Sequence, residues 1–295
     1  MQSKHTNEQI ELRHIIDRYE GLVLDLFGVI HDGIAPFPEA LKVLRRLRMC
    51  HKRICLLSNS PRRAIQVAVR LKAMDIGPEL YDGLITSGEL VFSALTGAKK
   101  TALPVPGSRF LHIGPDELSG LLAGADFTSV DDARAAHFIL ATGSIMAKAK
   151  RTLLADLQKR DLPLICANPD ITVLVGNQMV SCAGAVAEQY QSIGGRVFRF
   201  GKPCLPAYEE AARILRLPAS RILAIGDSLA TDIAGGNGAG IDAALVMTGV
   251  HRGDFRWDVR PDKQGFRQLC RKHRARPNFV LPALAWASVP IADLG

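Results

Sequence analysis

Short apolar runs rich in Val, Ile and Leu recur along this chain, and each is followed by a polar or glycine-containing turn and a segment of helical periodicity. Two of these helical segments begin after Pro38 and after Ser60. Because parallel strands need a long crossover, usually a helix, this alternation predicts a parallel sheet covered by helices. We therefore predict an α/β protein with a doubly wound parallel sheet. The apolar runs are GLVLDLF, RICLLSNS, AHFILATG, LPLICANPD and RILAIGDS.

The middle of the chain repeats the strand and helix alternation with strands of its own. A length of 295 residues is enough for one large domain or two of ordinary size. Gly and Pro cluster near the start of the middle segment, in LPVPGS. The middle segment, residues 89–198, is therefore a candidate for a second α/β domain inserted into the chain.

Composition argues against a membrane or a secreted protein. The opening MQSKHTNEQIELRHIID is charged throughout, and no later run reaches the roughly 18 apolar residues that a membrane span needs. Six cysteines occur without a CxxC pair, so we expect buried thiols rather than a disulfide framework or a zinc site. We predict a cytoplasmic protein without a membrane partner.

The net charge of +8 is concentrated near the end of the chain. Residues 252–276 contain nine Lys or Arg against three Asp. A nucleic-acid surface there would need interleaved aromatic residues or a recognisable module, and the stretch offers only Phe255, Trp257 and Phe266. We expect a solvated helical face and no nucleic-acid partner.

Polar residues follow the predicted strands at the point where each strand ends. Asp25 follows GLVL, Ser58 and Asn59 follow RICLL, and Asp227 follows RILAI, while Lys202 comes after RVFRFG. Ligands of open α/β sheets bind at this carboxyl edge. A buried carboxylate is costly unless it is paired or bound to metal, so two Asp at this edge predict a cation between them.

Phosphoryl transfer offers a role for each of these carboxylates. It needs an oxygen nucleophile in line, a divalent cation and donors around the phosphate oxygens. Asp25 can be the nucleophile and form an aspartyl-phosphate. Asp227 can hold Mg²⁺ together with Asp25 and the backbone carbonyl of Phe27, because Mg²⁺ takes few protein oxygens and retains waters. Asp232, in the first turn of the next helix, can orient a metal-bound water or a ligand.

The remaining polar residues are candidates for binding the substrate. Ser58 and Asn59 can bind phosphate oxygens, and Lys202 can neutralise the crowded carboxylate and phosphate charges as a second catalytic residue. For Asn168 and Asp170, a turn and a substrate contact are both open.

Four motifs in this order resemble those of the haloacid dehalogenase (HAD) superfamily: DLFGVIHDG, LLSNSPRR, FGKP and GDSLATDI. They are most similar to the class IIA branch, which includes sugar and nucleotide phosphatases, and ANPD at residues 167–170 is similar to a cap motif of that branch. The resemblance covers most of the chain. It implies a discontinuous HAD-like core of residues 1–88 and 199–295, with an α/β cap of residues 89–198 inserted between the second and third motifs. It also implies Mg²⁺ as cofactor and a small phosphorylated metabolite as substrate. Homo-oligomer formation is left open.

One position departs from the family pattern. Phosphatases of the family carry a second Asp two residues after the nucleophile, as general acid and base, whereas this chain has Phe27. Proton transfer of this kind is worth about 10²–10⁴-fold in rate. His31 and Asp32 could substitute if the loop curls back. Two alternatives therefore stay open: a dehalogenase-like hydrolase acting on a non-phosphate centre, and a phosphate-ligand binding protein without turnover.

Overall fold

The computed structural model describes residues 11–97, 103, 105–144, 147–176, 178–252 and 262–287, without the side chains of residues 147–151. The strands in these ranges, in chain order, are β1 (Gly21–Leu24), β2 (Arg53–Ser58), β3 (Gly83–Thr86), β4 (Arg109–Ile113), β5 (Thr128–Ser129), β6 (Phe138–Ala141), β7 (Leu164–Cys166), β8 (Thr172–Val175), β9 (Gln178–Ser181), β10 (Val197–Arg199), β11 (Ile222–Gly226), β12 (Asp242–Val246) and β13 (Phe279–Leu281). The α-helices are α1 (Pro38–Met49), α2 (Ala64–Lys72), α3 (Ser87–Thr96), α4 (Ala147–Lys159), α5 (Ala183–Ser192), α6 (Leu205–Leu215), α7 (Ala234–Gly238) and α8 (Lys263–His273).

The first sheet is parallel and has the strand order β13-β12-β11-β1-β2-β3. Its central strands β1 and β11 are buried along their whole length, which accounts for their continuous apolar sequences. In β1, Leu24 lies opposite Ile225 of β11 and Leu56 of β2. This register aligns the carboxyl ends of the three central strands.

Helices cover both faces of the first sheet. Alternate strand residues point to opposite faces, and Leu22 and Leu24 belong to one apolar cluster with Leu44 of α1. Val23 belongs to a second cluster with Tyr208 of α6, on the other face. The prediction of an α/β protein with a doubly wound parallel sheet is therefore confirmed.

A second parallel sheet lies between residues 109 and 199, with the strand order β10-β7-β6-β4-β5. Between β7 and α5, β8 and β9 form an antiparallel hairpin. Helix α3 belongs to this second layer, because Val91 and Leu95 share an apolar cluster with Phe110 and Phe138 of the second sheet.

The chain passes from the first sheet to the second at Ser87 and returns at Gly201. The two crossing points lie side by side, because a Cβ on Gly201 would collide with the Ser87 hydroxyl. Gly201 also has a φ of +105°, in the region that favours glycine. Asn59 Oδ1 accepts hydrogen bonds from Ser87 Oγ at 3.3 Å and from the Lys202 N–H at 2.7 Å. One side chain of the first sheet therefore holds both crossings.

The described residues also test the predictions made from composition. None of the helices in the described ranges combines the length and apolar character needed to cross a bilayer. The basic side chains of α8 are exposed while Phe266 is buried, as expected, and residues 253–261 of the basic stretch lie outside the described ranges. The prediction of buried thiols is only half right: Cys55, Cys166 and Cys182 are buried, Cys50 at the end of α1 is exposed, and Cys204 and Cys270 are half-buried.

Candidate active site

Five polar side chains meet at the carboxyl edge of the first sheet. Asp25 follows β1, Ser58 ends β2 with Asn59 next to it, and Asp227 follows β11. Since β11, β1 and β2 are neighbours in the sheet, their ends lie together. Lys202 reaches the same place after the chain returns from the second sheet. All five side chains are buried, so the structure brings together the residues that the strand ends predicted.

Lys202 lies between two carboxylates. Its Nζ is 2.5 Å from Asp25 Oδ1 and 2.7 Å from Asp232 Oδ1. Burial acts to lower the lysine pKa, but the charges of Asp232 and Asp25 outweigh it and hold the pKa well above the usual value. The ammonium group therefore stays charged and offsets part of the negative charge around it.

Three carboxylates crowd around this single lysine. One oxygen from each of Asp25, Asp227 and Asp232 lies within 4.8 Å of the others. Burial raises the pKa of Asp25 well above its usual value, with further contributions from Asp232 and Asp227 that Lys202 opposes. Burial and Asp232 raise the pKa of Asp227 to about 7. A cluster of buried oxygen donors with more negative than positive charge fits a divalent cation such as Mg²⁺.

Backbone groups orient Asp227 and the loop after β1. The Val250 N–H donates to Asp227 Oδ2 at 2.8 Å. Gly28 has a φ of +73°, and a Cβ there would lie 2.5 Å from Asp227 Oδ2, so only glycine allows this approach. The Thr248 hydroxyl donates to the Gly28 carbonyl. The segment carrying Phe27 thus lies against Asp227, and metal binding by the Phe27 carbonyl stays a prediction.

Asp232 is held in a π-helical turn, Leu229–Ile233, rather than in the regular first helical turn that the sequence predicted. Such turns occur often at functional sites. The Ser228 N–H donates to Asp232 Oδ2 at 3.2 Å, and the Tyr208 hydroxyl donates to the Asp232 carbonyl at 2.9 Å. Tyr208 comes from α6, and no sequence motif identified it.

The Asn59 side chain is engaged differently from our expectation of a phosphate ligand. Besides accepting from Ser87 and Lys202, it donates through Nδ2 to Asp170 Oδ1 at 2.8 Å. It therefore links the first sheet to the segment after β7. Ser58 Oγ accepts from the Ser60 N–H at 3.2 Å, a hydrogen bond that does not use the Ser58 O–H, so this O–H can donate to a ligand.

Asn168 and Asp170 form a turn and also line the cleft. Asn168 Oδ1 accepts from the Asp170 N–H at 3.1 Å, an Asx-type turn. Burial raises the pKa of Asp170 to about 6, although Lys202 and Asn59 oppose the shift. A turn and a substrate contact, the two roles open for Asn168 and Asp170, are therefore compatible with each other.

The loop after Phe27 does curl back. The Gly28 N–H donates to the His31 carbonyl at 2.8 Å, and the rings of Phe27 and His31 lie 4.6 Å apart in an edge-to-face arrangement. Burial lowers the pKa of His31 to about 4, with Asp32 opposing. Asp32 Oδ1 accepts from the Ile34 and Ala35 N–H groups; burial raises its pKa, but these hydrogen bonds outweigh it and the net pKa is low. Asp32 is thus a turn residue and a poor proton donor.

A cleft of about 1020 Å³ separates the two sheets above these residues. The first sheet contributes Asp25, Phe27 and Ser58 to its walls, and the second layer contributes Thr142 and the β8–β9 hairpin. The hairpin contacts the loop after β1, because the Gly176 N–H donates to the Asp32 carbonyl at 2.9 Å. A ligand in the cleft would therefore touch both layers.

Comparison with known proteins finds similar proteins along most of the chain. A model of the haloacid dehalogenase-like hydrolase family matches residues 94–240, another with the same description matches residues 22–128, and a HAD-hydrolase-like model matches residues 199–287. The 5'-nucleotidase YutF of Bacillus subtilis is 28% identical over 247 residues, which are 81% of this chain and 91% of that protein. The D-glycerol 3-phosphate phosphatase of Mycobacterium tuberculosis is 27% identical over 258 residues, 84% of this chain and 67% of that protein.

A solved structure from the same family has a similar fold. The crystal structure of a hydrolase of the haloacid dehalogenase-like family from Brucella suis 1330 is 32% identical, with a TM-score of 0.79 over 94% of this chain and 100% of that chain. Identity at this level over the full length of the Brucella protein agrees with the three family models. The chain therefore belongs to the haloacid dehalogenase-like hydrolase family, as its four motifs predicted.

Proposed function

We propose that this enzyme is a Mg²⁺-dependent phosphatase that cleaves a phosphate monoester of a small metabolite, with Asp25 as nucleophile. The observation that carries the proposal is the position of Asp25 at the base of the cleft, 2.5 Å from Lys202 and beside Asp227 and Asp232. The names of two relatives, a 5'-nucleotidase and a D-glycerol 3-phosphate phosphatase, support phosphate monoesters as the substrate class.

The proposed reaction has two halves. In the first, an Asp25 carboxylate oxygen attacks phosphorus and the ester P–O bond breaks, giving phospho-Asp25 and an alkoxide that takes a proton from water to become the alcohol. In the second, water attacks the phosphoryl group, the P–O bond to Asp25 breaks, and inorganic phosphate leaves while the Asp25 carboxylate is restored. Lys202 offsets negative charge at Asp25, and the Ser58 hydroxyl donates to a phosphate oxygen. When bound by Asp25, Asp227, Asp232 and the Phe27 carbonyl, Mg²⁺ would neutralise phosphate charge and hold water.

We further propose that residues 89–198 act as a cap on a core of residues 1–88 and 199–295. Support comes from the cleft between the layers and from the two contacts across it, Asn59 to Asp170 and Gly176 to Asp32. In this arrangement the cap excludes water during the transfer and contacts the leaving alcohol, with Asn168 and Asp170 among the lining residues.

The deciding experiment measures inorganic phosphate released from a broad panel of sugar and nucleotide monophosphates, with Mg²⁺ or with EDTA. We expect release from at least one ester that depends on Mg²⁺. Halide release from haloacids without Mg²⁺ would instead support the dehalogenase-like alternative. If a phosphorylated metabolite stabilises the protein but no compound of the panel releases phosphate, the protein is a binding protein. Its lack of turnover would then follow from Phe27, which replaces the general acid and base.

Mg²⁺ should stabilise the folded protein more at about pH 8 than at about pH 5. Asp227 has its pKa raised to about 7 in the folded protein, against about 4 in the unfolded chain. Between these values the folded protein keeps a proton that the unfolded chain has released, so the metal-free protein loses stability as the pH rises. Mg²⁺ needs ionised carboxylates, so its binding offsets this loss at high pH and competes with protons at low pH.

The measurement is the melting temperature with Mg²⁺ and with EDTA at both pH values, for the wild type and for Asp227→Asn. The variant should lose most of the Mg²⁺ effect. An equal Mg²⁺-induced shift at the two pH values would contradict a metal site that includes Asp227.

A further inference from the structure

A small cavity adjoins the cleft beside Phe27. It has a volume of about 40 Å³ and shares with the cleft the lining residues Phe27, Gly33 and Ser58, among others. We call it the side cavity. Asp25, Asp227 and Lys202 line the cleft but not the side cavity, so the transferred phosphate lies elsewhere. Every polar side chain in its wall can donate a hydrogen bond, and none is a carboxylate: His31, Ser58, Ser60, Arg62 and Arg70.

His31 presents a buried donor to the side cavity. The side chain is only 5% exposed. Its Nδ1 accepts a hydrogen bond from the Gly33 N–H at 2.9 Å, so the ring proton is on Nε2. Within the described part of the chain, no acceptor pairs with this Nε2–H. A buried donor of this kind calls for a partner supplied by a ligand or water.

Two arginines, Arg62 and Arg70, add positive charge to the wall of the side cavity. In the described ranges neither Arg62 nor Arg70 forms an ion pair, whereas the neighbouring Arg63 binds Glu89 through two nitrogens at 2.8 and 3.0 Å. Burial lowers the pKa of Arg62 and repulsion by Arg70 adds to the shift, while Glu117, which also lines the cleft, opposes it. An anion placed between the two guanidinium groups would relieve the repulsion.

The size of the side cavity indicates which anion fits. A water needs about 10–15 Å³ of such volume, so the side cavity has room for about three waters. A carboxylate group has three heavy atoms, and a phosphate group has five. Phe27 also suits this site, because a carboxylate at position 27 would stand in the wall beside the bound anion and repel it.

We propose that the side cavity binds a carboxylate on the leaving alcohol, so that the substrate is a phosphate monoester of a hydroxy acid. The inference rests on the phosphatase function proposed above and names its substrate class. His31, Arg62 and Arg70 would then be specificity residues, donating to the carboxylate while the phosphate reaches Asp25.

The test compares esters that differ only in a carboxylate against a hydroxymethyl group: 3-phosphoglycerate with glycerol 3-phosphate, and 6-phosphogluconate with glucitol 6-phosphate. The wild type should have the higher kcat/KM for the acid in at least one pair. Arg62→Gln should lower kcat/KM for that acid by about 10- to 100-fold and for the matching alcohol by less than about 3-fold. Arg70→Gln, at an exposed helix position that tolerates the change, should act in the same direction.

Lys72→Gln is the control, because it removes a positive charge from the same helix at an exposed position outside both cavities. It should leave the ratio of acid to alcohol unchanged. The carboxylate site would be contradicted if both Arg variants lost kcat/KM equally for acid and alcohol, or if the wild type preferred the alcohol in both pairs. In either case the release of phosphate would still support the phosphatase function. Absence of release across the wider panel would instead remove the phosphatase function, and the carboxylate inference with it.

Discussion

Asp25→Asn is expected to lower kcat for phosphate release by at least about 10⁴-fold. An amide has nearly the same shape as a carboxylate, but it cannot attack phosphorus to form the phospho-enzyme. The fold should tolerate the change, because Lys202 keeps Asp232 as a charged partner at 2.7 Å and the number of crowded buried carboxylates falls from three to two. The loss should therefore come from chemistry and not from unfolding.

The assay measures kcat with the best ester of the panel and traps the phospho-enzyme by acid quench after mixing with labelled substrate. Protein-bound label should appear in the wild type and be absent from Asp25→Asn. Asp17→Asn, at an exposed position before β1, is the control for a change of one charge. Activity above about 1% of wild type in Asp25→Asn would mean that another nucleophile, or water itself, attacks the phosphate.

Lys202→Met is expected to lower the free energy of unfolding by about 3–5 kcal/mol in EDTA, because it removes one partner of a buried ion pair. The lysine side chain is 3% exposed and contacts both Asp25 and Asp232. Met has a similar length but leaves the carboxylates without a positive partner. Mg²⁺ should recover part of this loss by supplying positive charge to the same carboxylates.

Urea unfolding in EDTA and in Mg²⁺ measures both effects. Lys42→Met is the matched control, since Lys42 pairs with Glu39 at 2.6 Å but is 69% exposed, and an exposed pair of this kind is worth about 0–1 kcal/mol. A loss below about 1 kcal/mol in Lys202→Met would mean that the carboxylates stay protonated in the folded protein and need no cation. Enzymatic activity at saturating Mg²⁺ then separates the stability effect from the catalytic one.

The strand ends were predictable because the register of a parallel sheet follows from buried apolar runs. GLVL of β1 and ILAIG of β11 are each buried throughout, so the polar residues directly after them, Asp25 and Asp227, had to emerge at one edge. The resemblance of four motifs to those of the HAD superfamily extended the predicted site to Lys202 and Asp232. These positions depend on local sequence and on a fold that the motifs identify.

Other contacts depend on geometry that no short pattern encodes. Tyr208 reaches the Asp232 carbonyl from a different helix, and the Asn59 side chain faces Lys202 and Asp170 rather than open solvent. The side cavity is lined both by the loop after Phe27, which includes His31, and by residues of α2. Sequence reasoning named His31 as a candidate for proton transfer, but it could not derive the direction in which the ring points.

The side-by-side crossings at Ser87 and Gly201 make the second layer a module of the chain. Both ends of the inserted segment lie in contact, and both are hydrogen-bonded to Asn59. The insertion therefore occupies the place of a short loop after the edge strand β3 and does not interrupt the first sheet. A descendant of such a chain could exchange or enlarge the whole second layer without changing the strand order of the first. New specificities could then arise by replacement of one segment, with the carboxylates and lysine inherited intact.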